Sequence, residues 1–182
     1  MSSRHYGPEM APGFITDTSL EFVAHRLIFL GYDVASVPGA RLEELFEAGR
    51  REGRTVLTLS TRHPRRFADV AAIVVPRGDP AGAVRAITSA HRPSGAAFSR
   101  CASCNQALQS RHPIEARGEV PARVLRSATV LRFCPVCGKW YWEGSHVARL
   151  REWLERALGR DLSAAGPGPE PAPGPDATTP DS

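Results

Sequence analysis

Several things are scarce in this 182-residue chain, and each shortage narrows the reading. It has only four cysteines, one lysine against 22 arginines, and no apolar run near the roughly 18 residues that a membrane span needs. Over Met1–Pro12 it also lacks the apolar core of a secretory leader. The last two absences lead to the expectation of a cytoplasmic chain with no membrane partner. In that reducing setting, paired cysteines serve metals rather than disulfides. From Ser163 to Ser182 there is no large apolar side chain, only a run dominated by six prolines and three glycines. Such a composition buries too little surface to offset the entropy of ordering, so 161–182 is expected to be a disordered tail and 1–12 a flexible amino terminus.

The four cysteines form two Cys-x-x-Cys pairs, Cys101/Cys104 and Cys134/Cys137. Two intervening residues let both thiolates of a pair reach one ion, and two such pairs complete a tetrahedral zinc site. Each pair is followed by a residue suited to a left-handed turn around a metal, Asn105 or Gly138. An iron–sulfur cluster uses the same ligands and is the minor alternative. With four thiolates present, His146 is not needed as a ligand; it belongs to the first turn of a final helix, packing there or contacting phosphate.

With 42% apolar residues the chain can build a real core. Its net charge of +4 is uneven: Phe98 to Arg160 holds eleven Lys or Arg against five Glu. A basic, metal-bearing half favours a polyanionic partner, nucleic acid first, although a general preference for arginine would give the same excess.

The first hundred residues alternate between extended and helical patterns. Phe14–Thr16 reads as a strand and Leu20 to Leu30 as a helix stopped by Gly31; Tyr32–Val37 is extended, and Leu42–Glu52 is a helix closed by Gly53. Thr55–Leu59 is a β-branched strand, a short helix passes through Arg65–Phe67, and Ala71–Val75 is a further strand. Asp79-Pro80 then opens a helix to about Ala90. This alternation predicts an α/β domain over 13–95, a parallel sheet with helices on both faces and its sites at the carboxyl ends of the strands. Asp17, Ser60 and Thr61 fall at such ends, whereas Asp33, at the opposite edge, is expected only to shape a turn. The zinc ribbon and final helix occupy 96–160. Its insert, Asn105 to Phe133, is expected to be loops with a short extended or helical piece, and Ser145 is expected to cap the last helix, with Val147, Leu150, Leu154, Ala157 and Leu158 on its apolar face.

These residues resemble the Mut-seven C-terminal RNase domain, a PIN-like nuclease domain carrying a zinc ribbon. The resemblance runs from about Phe14 to Leu158. It is most specific in Phe98-Ser99-Arg100-Cys101-Ala102-Ser103-Cys104-Asn105 and in Cys134-Pro135-Val136-Cys137-Gly138-Lys139-Trp140-Tyr141-Trp142-Glu143-Gly144-Ser145-His146. It is looser over Phe14-Ile15-Thr16-Asp17, Leu30-Gly31-Tyr32-Asp33 and Leu42 to Leu57. The resemblance implies metal-dependent hydrolysis of RNA phosphodiesters, with carboxylates gathering Mg²⁺ or Mn²⁺. Asp17 matches the family's first acidic position, and Glu44 and Asp79 are the further candidate acids, each with a plainer reading as a helix-face or capping residue. The acid that closes the family's third strand is Thr61 here, and His25 and Ile28 stand where arginines are usual.

Two functions therefore compete. One is a ribonuclease built on Asp17, Glu44 and Asp79 beside a structural Zn²⁺. The other is a degenerate relative that binds RNA or another protein without cutting. In both, Arg100, Arg132, Lys139, His146 and Arg149 would meet phosphates, and Trp140, Tyr141 and Trp142 would offer faces to unpaired bases unless they merely cover the metal site.

Overall fold

The computed structural model describes residues 13–162. The segment 1–12, and the tail from Ser163 onward, lie outside the described residues. Four short strands, β1 (Phe14–Thr16), β2 (Val34–Ser36), β3 (Thr55–Thr58) and β4 (Ala72–Val74), form one parallel sheet in the order β2-β1-β3-β4. Phe14 pairs with Val34 on one side and Thr55 on the other, and Val56 pairs with Ala72. The α/β reading is thus met: β1 has the expected bounds, β3 is one residue shorter at its end, and β2 and β4 are one or two residues shorter at each end.

Alternation along the strands sends neighbours to opposite faces. Phe14 and Leu57 join a core formed with α1 (Glu21–Phe29) and α3 (Pro80–Ala90), packing against Val23, Leu27, Val84 and Ile87. Ile15 and Val56 point the other way, to Leu45 and Phe46 of α2 (Leu42–Glu52) and to Phe67 of a 3₁₀ turn, Arg65–Phe67. Both faces are covered, as a parallel sheet requires. Gly53 ends α2 in the left-handed conformation.

The segment between the cysteine pairs is more ordered than the sequence suggests. It contains β5 (Gln109–Arg111), a 3₁₀ turn (Pro113–Ala116), α4 (Ala122–Ser127) and β6 (Leu131–Phe133). β5 and β6 join β7 (Trp140–Tyr141) in an antiparallel sheet, and Ala116, Val120, Val124 and Leu131 make a small core of their own. β5 escaped notice because it is a polar, fully exposed edge strand.

The final helix, α5 (Ser145–Leu158), returns to the α/β layer, burying Leu154 in the core that also holds Ile87. Val147, Leu150 and Leu158 flank it as expected. Its N-cap is Gly144, not Ser145, which is already the first helical residue. The indole nitrogen of Trp142 lies so close to Gly144 that a side chain there would crowd it. Leu162, grouped with the tail on composition, is buried against the same core, and its amide donates to Glu155 Oε1 at 3.1 Å. Among the described residues no helix is long and apolar enough to cross a membrane.

The ribbon meets the α/β layer at Gly31. The residue has φ +90°, and its carbonyl accepts from Gly95 N at 3.1 Å and Ser94 Oγ at 3.1 Å. A Cβ at this position would collide with the carbonyl oxygen of Gly95. Gly39 also has a positive φ, +70°, but faces open space. Gly39→Ala should therefore cost only the left-handed strain, on the order of 1 kcal/mol, and Gly31→Ala clearly more. Urea unfolding of both variants checks this, and equal losses would contradict the collision.

Candidate metal centre and sheet edge

The cysteine pairs lie in two tight turns that close on one another. The amide of Asn105 donates to Cys101 O at 2.8 Å and that of Gly138 to Cys134 O at 2.9 Å. Asn105 (φ 60°) and Gly138 (φ 68°) take the left-handed conformation that their positions suggested. All four Sγ atoms lie within 4.8 Å of one another, with Cys101–Cys137 at 3.5 Å and Cys104–Cys134 at 3.4 Å. A tetrahedral ion with metal–sulfur bonds of about 2.3 Å sets its sulfurs about 3.8 Å apart, so the four side chains fit one metal ion.

The electrostatics favour the same conclusion. Burial opposes charge on Cys101, but the Tyr141 hydroxyl at 3.0 Å and the amides of Cys104 and Ser103 outweigh it and bring that thiol down to about 6. Cys104 is pushed up to about 12, by burial and by its neighbouring thiols. Burial and crowding raise Cys137 as well. One thiolate forms readily and its neighbours then resist ionising; a bound cation removes that resistance.

The first cysteine turn is bound to the sheet through Asp33. Its carboxylate accepts from Arg54 Nη1 at 2.7 Å and from Asn105 Nδ2 at 2.6 Å, with Arg100 Nη2 at 3.8 Å. Burial alone would raise the Asp33 pKa; the hydrogen bonds from Arg54 and Asn105 and the charges of Arg54 and Arg100 outweigh it, and the carboxyl sits below its ordinary range. Arg54 also donates to Phe14 O at 3.2 Å. The sequence expectation that Asp33 only shapes a turn is therefore too narrow. Its partners are distant in the chain, which no local pattern reveals.

Asp17 follows β1, Thr61 follows β3, Asp79 opens α3, and Glu44 stands in the first turn of α2. The topology brings all four to the carboxyl edge of the sheet, but the three carboxylates are engaged separately. Asp17 Oδ1 accepts from Ser19 N at 2.8 Å, Asp79 Oδ1 from Gly82 N at 2.7 Å, and Glu44 Oε2 from Arg41 N at 2.8 Å. Neighbouring Glu43 pairs with Arg66 at 2.8 Å. Among the described residues, the four cysteines are the one group of three or more His, Cys, Asp or Glu side chains close enough to share an ion. As arranged, the edge offers a hard divalent cation no converged carboxylate set, and Thr61 supplies no charge. The residues do not fit Mg²⁺ or Mn²⁺ in this arrangement.

The candidate RNA-contacting residues divide. Arg132, Trp140, Tyr141, Trp142 and His146 line a single groove of about 1000 Å³ between the ribbon and the start of α5. Arg100 is turned away, donating to Asn105 O at 2.8 Å and to Ser94 Oγ at 3.1 Å. Lys139 Nζ ties the two cysteine turns together through Ser103 Oγ at 2.7 Å, and Arg149 is exposed on α5. Residues the sequence did not single out, Arg123, Thr129 and Val130, complete the groove wall. Arg123 is a second basic residue beside the aromatics, and the charge count alone could have flagged it.

Residues 12–154 match the family model described as the Mut7-C RNAse domain. No curated protein and no solved structure matches significantly.

Asp33→Asn should lower stability by roughly 2 kcal/mol at neutral pH, the value of charge-assisted hydrogen bonds in a half-buried site, while leaving the cysteine cluster able to take up metal. Thermal unfolding with a parallel metal assay checks this, and an unchanged midpoint would refute the clamp.

Proposed function

The chain belongs to the Mut7-C RNase domain family, and from that premise we propose that it acts on RNA, with phosphodiester hydrolysis at the carboxyl edge of the parallel sheet around Asp17. Family membership is the observation that carries the reading. The position of Asp17 directly after β1, with Glu44 and Asp79 on the same edge, supports it. The ion in the cysteine cluster is zinc, in a structural role: four thiolates close the coordination sphere and leave no position for substrate. The ribbon is the RNA-holding part, since its basic side chains and aromatic rings suit phosphates and bases.

A second reading, RNA binding without hydrolysis, is favoured by the chemistry of the edge. Thr61 stands where the resemblance calls for an aspartate, and Asp17, Glu44 and Asp79 are each engaged in a local turn or cap. Both readings share the RNA ligand and differ in whether the bond is cut.

Purified full-length chain incubated with single-stranded RNA and Mg²⁺ or Mn²⁺ separates them. Hydrolysis predicts cleavage that falls at least about tenfold in Asp17→Asn and rises in Thr61→Asp, which adds an anionic ligand. Equal cleavage by Asp17→Asn would refute the assignment of the edge. Binding that weakens steeply with salt, with no cleavage by either the parent or Thr61→Asp, would establish the second reading.

A further inference from the structure

The groove between the ribbon and α5 is more specific than a basic surface. Its walls come from α4, the 128–130 loop, β6, β7 and the first turn of α5, with Phe98 also among them. Val130 is 53% exposed there, although it is apolar. Trp140, Tyr141 and Trp142 are half-buried rather than sealed into the ribbon core. The Trp140 indole N–H is already used by Glu119 Oε2 at 3.1 Å, and its ring tilts against Phe133 at 4.7 Å. Trp142, beside Gly144, packs partly against the small ribbon core and is otherwise open to the groove it lines.

The polar side of the groove is positive. Arg123 and Arg132 line it without an ion pair among the described residues, Arg132 donating only to Ser110 Oγ at 2.6 Å. The one acid in the wall, Glu143, is neutralised by Arg151 at 2.8 Å. α5 is 14 residues long, its cap residue Gly144 brings no side-chain acceptor, and its first turn holds no acid. Its opening amides therefore have no acceptor within the helix, and the helix dipole adds positive potential at the same spot. Aromatic and apolar surface thus shares one cleft with cationic groups.

We propose that this groove seats an unpaired stretch of RNA, a base lying against Trp142 and Val130 while the adjoining phosphates meet Arg123, Arg132 and the first turn of α5. The proposal rests on the RNA reading above and adds that the strand must be single. In a duplex the bases are stacked and paired, so their faces are closed to the tryptophan; in a single strand they are open to it. Charge complementarity selects nucleic acid over an apolar peptide, because the groove combines ring surface with unpaired guanidinium groups.

The test is fluorescence anisotropy with two probes, an oligouridylate of about 12 nucleotides and an RNA duplex of similar length. Both are titrated with the full chain carrying Asp17→Asn, so that neither probe is consumed. The single strand should bind at least about tenfold more tightly than the duplex. Arg123→Ala should weaken binding several-fold and reduce the salt slope by about one phosphate contact. Trp142→Ala should weaken binding about tenfold, and Trp142→Phe, which keeps a ring and guards against a folding defect, should recover most of it. Equal affinity for the duplex, or unchanged binding in both Arg123→Ala and Trp142→Ala, would overturn the groove while leaving the RNA reading intact. Failure of both probes to bind the chain at low salt would overturn the groove and the RNA reading together.

Discussion

Four sulfur atoms held within 4.8 Å of one another are the constraint from which the second half of this protein is built. Left alone, such a cluster resists charge: Cys101 ionises easily, while Cys104 and Cys137 are held protonated by burial and crowding. A cation converts that conflict into cohesion. It also closes a loop of about 30 residues whose own core, centred on Val124 and Leu131, is small. β5, β6, β7 and α4 are arranged around this knot, and so is the cleft between the ribbon and α5.

The knot is fixed to the sheet at more than one place. Asp33 holds the amide of Asn105, directly after the first cysteine turn, and the guanidinium of Arg54, directly before β3. Gly31 receives the linker at residues 94–95 through its carbonyl, which accepts from Gly95 N and Ser94 Oγ, at an approach that leaves no room for a Cβ. On the other side, α5 leaves the ribbon and buries Leu154 in the sheet's own core. These anchors on the α/β layer lie at the amino ends of β2 and β3 and along α5.

Legibility in the sequence followed the range of the interactions involved. The parallel sheet, its order of helices and the bounds of α2 and α3 could be read because each rests on local periodicity, capping chemistry and glycine or proline punctuation. The cysteine cluster was legible because spacing alone dictates that two thiolates of a pair converge. Asp33 was misjudged because its partners, Arg54 and Asn105, lie 21 and 72 residues away and only the fold unites them. β5 was missed because Gln109-Ser110-Arg111 is polar and exposed, with no apolar face to betray it. Arg132, Trp142 and His146 could be suspected one at a time, but their meeting with Arg123 and Val130 in one cleft depends on how α4 and α5 are set around the ribbon. Asp17, Glu44 and Asp79 show the reverse: a shared edge could be inferred, whereas their separate hydrogen bonds could not.

The account stands on the identity and geometry of the metal knot. X-ray absorption at the zinc edge on the purified full-length chain measures both. The account predicts one zinc per chain, surrounded by four sulfur neighbours at about 2.3 Å and by no nitrogen or oxygen. A shell containing light-atom ligands, iron in place of zinc, or protein that carries no metal and remains folded would contradict it.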